Sequence, residues 1–153
     1  MYDCFDIAKF FVELARKEGR GIDPMKLLKL TYIAHGWYLG DKGKPLFHNQ
    51  VQAWRYGSVI PDLYYAIKIF GKNNVDPFLF KMYSDKKIKE EDEKFLKMIW
   101  DSYKNFSGLE LSAKTHEEGS PWQIVYDGSH DVIIENSLIE DYYKHKLMAN
   151  INE

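Results

Sequence analysis

The chain has 153 residues, a size that one hydrophobic core can stabilise, and a single cysteine, Cys4, which excludes an internal disulfide and a cysteine-pair zinc site. A net charge of -2 argues against a general phosphate-backbone binder, and the absence of both an apolar run of about 18 residues and a basic-then-apolar start argues against a membrane span or a secretory signal. The protein is therefore expected in the cytoplasm, without a nucleic-acid or membrane partner, and its 16% aromatic residues must serve a core or an interaction surface.

Asp3 is placed to cap a first helix with Ile7, Phe10, Phe11 and Leu14 on one face, and Gly19 offers a stop. Asp23-Pro24 is a second start signal, opening a helix to about Gly40. Its apolar positions, from Leu27 through Tyr32 and His35 to Leu39, cover well over half the circumference and mark it as central. Lys26, Lys29, Ile33, Gly36, Trp37 and Gly40 fill the remaining stripe, an exposed or closely packed edge. Gly36 in mid-helix suggests that a backbone or bulky ring approaches it.

After a turn at Asp41 to Pro45, Val51 to Tyr56 alternates as a strand that Gly57 ends, and Pro61-Asp62 opens a short helix carrying Leu63, Tyr64, Ile67 and Phe70. Pro77 to Phe80 reads as a second short strand or an apolar loop. The acidic run Glu90 to Glu93, read as solvated and dipole-complementing, leads into a helix with Phe95, Leu96, Ile99, Tyr103 and Phe106 on one face, with Gly108 ending it. Ser112 is expected to cap a short helix holding Thr115-His116, Val132 to Ile134 to be extended, and Ser137 with Glu140 to start a last helix through Leu147. The expected fold is α+β, mostly α: one compact helical domain over residues 3–147 with a small β-hairpin or short sheet between helices, and a frayed tail at 148–153.

Signatures of chemistry fail one by one. His116-Glu117 resembles the start of a zinc-protease helix, but Ser120 stands where the second histidine would be needed. The five histidines are scattered, the glycine clusters match neither phosphate-binding pattern, and Tyr56-Gly57-Ser58 lacks the flanking glycine of a nucleophile elbow. No cofactor, metal or enzymatic role is expected. Trp54, Tyr56, Tyr64 and Trp122 sit beside turn-forming residues, where rings pack loops onto helices more often than they meet partners.

Lys26-Leu27-Leu28-Lys29-Leu30-x-Tyr32, Gly36-Trp37, Gly43-Lys44-Pro45-Leu46-Phe47, Ala53-Trp54-x-Tyr56-Gly57, Val59-x-Pro61 and Tyr64 follow in order, joined later by Leu111-Ser112, Thr115-His116, Pro121-Trp122, Ile139 and Tyr142-Tyr143. In this order and spacing the chain resembles the Panacea domain of SocA-like antitoxins, also described as phage-associated GepA-like proteins. The departures are His35, where relatives often carry Gln, and a charged, weakly matching stretch from Lys72 to Lys94.

The resemblance implies an antitoxin of a toxin-antitoxin pair, found in prophages and mobile elements, that neutralises a protein toxin from an adjacent gene by direct binding. One branch of the family delivers its toxin to a ClpXP-type protease. On this reading Lys26 and Lys29, on an exposed edge of the central helix, together with Trp54, Arg55 and Tyr56, meet the partner. Tyr32, His35, Gly36, Trp37, Gly57, Pro61, Tyr64, Thr115, His116, Pro121 and Trp122 are then structural, with Thr115 and His116 locking their loop. The alternatives are the proteolytic adaptor, a prophage-encoded host-interaction protein, and a small enzyme using His116 with Glu117 or Glu118.

Overall fold

Seven α-helices and a three-stranded sheet make up the computed structural model, which describes residues 1–84 and 86–152, with side chains to residue 150. Helix α1 (Cys4–Lys17) starts where Asp3 accepts from the Phe5 amide while Asp6 accepts from the Asp3 amide, a reciprocal cap that satisfies two otherwise unpaired donors. Its buried face, Phe5, Ile7, Ala8, Phe11, Val12 and Ala15, lies against α2 (Pro24–Lys42). The cap of α2 is Asp23, whose side chain accepts from the Lys26 amide at 3.0 Å, with Pro24 in the first turn. Every residue of α2 from Leu27 to Gly36 is buried, because α1, α3, α4, α5, α7 and a strand all pack on it. It is the axis of the domain.

The sheet is antiparallel throughout, in the order β2-β1-β3. Strands β1 (Gln52–Trp54) and β2 (Gly57–Val59) form a hairpin pairing Trp54 with Gly57, and β3 (Val132–Ile133) pairs Ile133 with Gln52 on the other edge of β1. Helix α3 (Pro61–Ile67) follows, then a 3-10 turn at Lys68–Phe70. Helices α4 (Glu90–Tyr103), α5 (Gly108–Thr115), α6 (Pro121–Val125) and α7 (Asn136–Asn152) complete the mostly helical α+β fold.

Several local expectations change. Pro77–Met82 is a 3-10 helix rather than a strand, because Asp76 accepts from the Phe78 amide and turns the chain after Pro77. Helix α4 ends at Tyr103, and Gly108 begins α5: the cap is Ser107, in a reciprocal pair with Glu110, and Ser112 lies inside the helix. Ser137 likewise lies within α7, which runs to Asn152, so residues 148–152 continue the helix where a tail was expected; residue 153 lies outside the described residues. Residue 85, within the weakly matching stretch, also lies outside them. Asp92 departs from the solvated acidic run. It is buried and accepts from the Tyr2 hydroxyl at 2.6 Å and the Tyr38 hydroxyl at 3.1 Å, tying the N-terminus and α2 to α4. Burial, reinforced by Asp92, pushes both phenols up to about 12.

The expected free edge of α2 is largely covered. A Cβ on Gly36 would stand 2.2 Å from the ring of Tyr143, and one on Gly40 would stand 2.9 Å from the α7 backbone, so the two glycines let α7 lie against α2.

Candidate partner-binding site

The hairpin is held from behind by α5 and α6. Thr115 Oγ1 and His116 Nδ1 both donate to the Ser112 carbonyl, at 2.8 and 2.6 Å, which places a proton on Nδ1. Trp122 Nε1 donates to the Trp54 carbonyl at 2.6 Å, and the Trp122 ring packs between Tyr126 and His116, centroids 4.8 and 4.3 Å away. Gly57 closes the clamp with φ at +123°, and a Cβ there would meet His116 Cε1 at 2.6 Å and Lys29 Nζ at 2.7 Å. Conformation and close approach both require glycine.

Lys29 rises from α2 beneath this glycine. It is only 3% exposed, and its ammonium donates to the Ser58 carbonyl at 2.8 Å. Burial pushes its pKa down from 10.5 to about 8. This corrects the expectation of an exposed lysine: β2 folds over the helix and leaves only a small part of the side chain open, where it borders the groove described next. Lys26 also leaves the expected edge. It is half-buried, donates to the Lys104 carbonyl at 2.6 Å and lies 5.6 Å from the Trp100 ring centre, toward α4.

In front of Lys29 lies a groove of about 340 Å³. Pro24, Met25, Leu28 and Lys29 of α2 form one wall, Trp54, Tyr56 and Val59 of the hairpin a second, and Tyr64, Ile67 and Lys68 of α3 and its following turn the third. Trp54 is half-buried, with Tyr64 edge-on at 5.0 Å and His130 stacked at 5.1 Å, and its indole N–H donates to Gln52 Oε1 at 2.9 Å. Tyr56 is 73% exposed at the hairpin turn, so it is not a packing ring, and the Arg55 guanidinium lies 5.4 Å from its centroid.

Of the five residues expected to meet a partner, the groove gathers Lys29, Trp54 and Tyr56; Arg55 sits beside Tyr56 on the turn, and Lys26 faces elsewhere. Sequence reasoning missed Met25, Leu28, Ile67 and Lys68 as wall residues. The signal was helical spacing, Met25 with Leu28 on α2 and Tyr64 with Ile67 and Lys68 beyond Pro61.

The remaining motif residues serve packing. Tyr32 is buried with its ring against Tyr143, Trp37 donates to the Tyr103 hydroxyl at 2.8 Å, and Pro61 and Pro121 open α3 and α6. His35 is fully buried, stacked on Phe47 at 4.0 Å, with Nε2 3.1 Å from Asn136 Oδ1. Burial holds its pKa down to about 4. His116 makes no hydrogen bond to Glu117 or Glu118 among the described residues; Glu117 pairs with Lys146 at 3.4 Å instead. No cluster of potential metal ligands occurs, and no helix is long and apolar enough to cross a membrane, among the described residues.

Fold and groove define a mostly helical α+β domain whose small sheet is clamped onto a central helix beside an aromatic-walled groove. The family model described as Antitoxin SocA-like, Panacea domain, matches residues 27–123, and the chain belongs to that family. It is 30% identical over 138 residues to Antitoxin SocA of Caulobacter vibrioides, an alignment covering 82% of this chain and 71% of the relative. No solved structure matches.

Proposed function

We propose that this protein is a cytoplasmic antitoxin that neutralises a protein toxin, encoded by an adjacent gene, through direct protein-protein binding in the groove between α2, the hairpin and α3. The observation that carries this reading is the family match, whose span contains Leu28, Lys29, Trp54, Tyr56, Tyr64 and Ile67 of the groove. The groove supports it: an apolar, aromatic-walled cleft with an exposed tyrosine at its mouth suits a partner's side chains. A non-enzymatic role is supported by the same family match.

Induction of the adjacent gene with and without this protein, with growth as the readout, tests the reading. Growth arrest relieved by this protein and restored by Tyr56→Ala supports it. A neighbouring product that is harmless alone, or stays toxic beside abundant folded protein, overturns it.

A further inference from the structure

Lys29 is a buried cation with too few partners. Its ammonium has three N–H groups, the Ser58 carbonyl takes one, and among the described residues no carboxylate lies within ion-pair distance. Buried charges in proteins are ordinarily paired, and an uncompensated one costs stability. The surroundings repeat the asymmetry: the groove walls hold two lysines, Lys29 on the α2 wall and Lys68 on the third, and no aspartate or glutamate. This local excess of positive charge stands in a chain whose net charge is -2. The remaining wall is apolar or aromatic, and a volume of about 340 Å³ takes two or three side chains rather than a whole domain.

We propose that the groove receives a short apolar segment of the partner protein carrying one aspartate or glutamate, whose carboxylate pairs with Lys29 while its apolar neighbours pack on Leu28, Trp54 and Tyr64. The partner's status as a toxin rests on the antitoxin reading; the chemistry of the segment does not. The carboxylate supplies the missing counter-charge, and the walls exclude water from the pair, which strengthens it. Lys68, exposed and 5.0 Å from the Tyr65 ring centre, adds attraction at the groove's edge.

A phage-displayed library of random peptides of about 12 residues, selected on the full chain, tests this without any toxin. The expected selectants carry an acidic residue beside aromatic or aliphatic ones. Changing that residue from Glu to Gln or from Asp to Asn should weaken binding roughly tenfold or more, and Lys29→Met in the protein should cause the same loss. Tyr56→Ala, at the exposed turn, serves as a second groove variant that does not touch the core, and it too should weaken the selected peptides. Selectants without an acidic residue, binding indifferent to Lys29→Met and Tyr56→Ala, or no enrichment at all would each overturn the proposal. Acidic peptides that bind the groove of a protein that rescues no toxin would leave this inference standing and remove the antitoxin reading. Rescue without acidic selectants would do the reverse.

Discussion

Gly36 of α2 and Tyr143 of α7 occupy one space: a Cβ on the glycine would stand 2.2 Å from Cε2 of the ring. The ring has little room to retreat, being 5% exposed and edge-on to both Tyr32 and Trp37, at 6.4 and 5.1 Å. At an open helical site Gly→Ala would gain about 1 kcal/mol from propensity. Here overpacking costs about 1–3 kcal/mol or more and should win, so Gly36→Ala is expected to lower stability in urea unfolding. A stabilised variant would mean that α7 does not lie where the structure puts it.

His35 should make the fold sensitive to mild acid. Its folded pKa is held down to about 4 by burial, against 6.5 unfolded. Above 6.5 both states are neutral; between 6.5 and 4 the unfolded imidazole binds a proton that the folded one refuses, so stability falls as pH drops through that window and levels off below it. Between about pH 7 and pH 5 the loss from this residue is of order 2 kcal/mol. His35→Gln, which does not titrate, should flatten the slope of stability against pH in this range. Equal slopes for the two proteins would place the acid sensitivity elsewhere.

Trp122→Phe keeps most of the ring against Tyr126 and His116 but removes the N–H that reaches the Trp54 carbonyl at 2.6 Å. The expected cost is about 1–3 kcal/mol. Amide exchange should locate it: faster at β1 and β2, unchanged in α1. Uniform acceleration across the chain would show that the bond serves the whole domain rather than the hairpin.

Lys29→Met should separate stability from recognition. Depression of the lysine pKa from 10.5 to about 8 corresponds to a burial penalty on the charged form of about 3 kcal/mol. The charge-assisted bond to Ser58 offsets about 1.5–3 kcal/mol of this. Methionine has similar length and no charge, so the change in urea unfolding should stay within about 1 kcal/mol. A larger loss would make the lysine chiefly a strut for β2.

Much of the fold could be read from local punctuation. Asp3 and Asp23-Pro24 announced their helices, and the near-continuous apolar face of α2 announced its central place. The approach to Gly36 was foreseeable because mid-helix glycine is costly, but which ring arrives depends on a residue more than a hundred positions away. Adjacent polar residues hide two starts: Ser112 competes as a cap with the Ser107 and Glu110 pair, and Ser137 has the spacing of a cap though it lies within α7. The groove was legible in part. Trp54 and Tyr56 stood out by type, whereas the burial of Lys29 depends on β2 crossing α2, which helical periodicity on α2 alone cannot report. Family resemblance marks motifs without distinguishing clamp from groove.

Co-expression with the product of the adjacent gene, with growth and co-purification read together, decides whether this chain neutralises a toxin by binding it in the groove. The expected result is relief of arrest and a stable complex with the wild-type chain, both lost with Lys29→Met and Tyr56→Ala although the variants remain folded. Relief without any complex, or relief undiminished by both groove variants, would contradict neutralisation by binding in this groove.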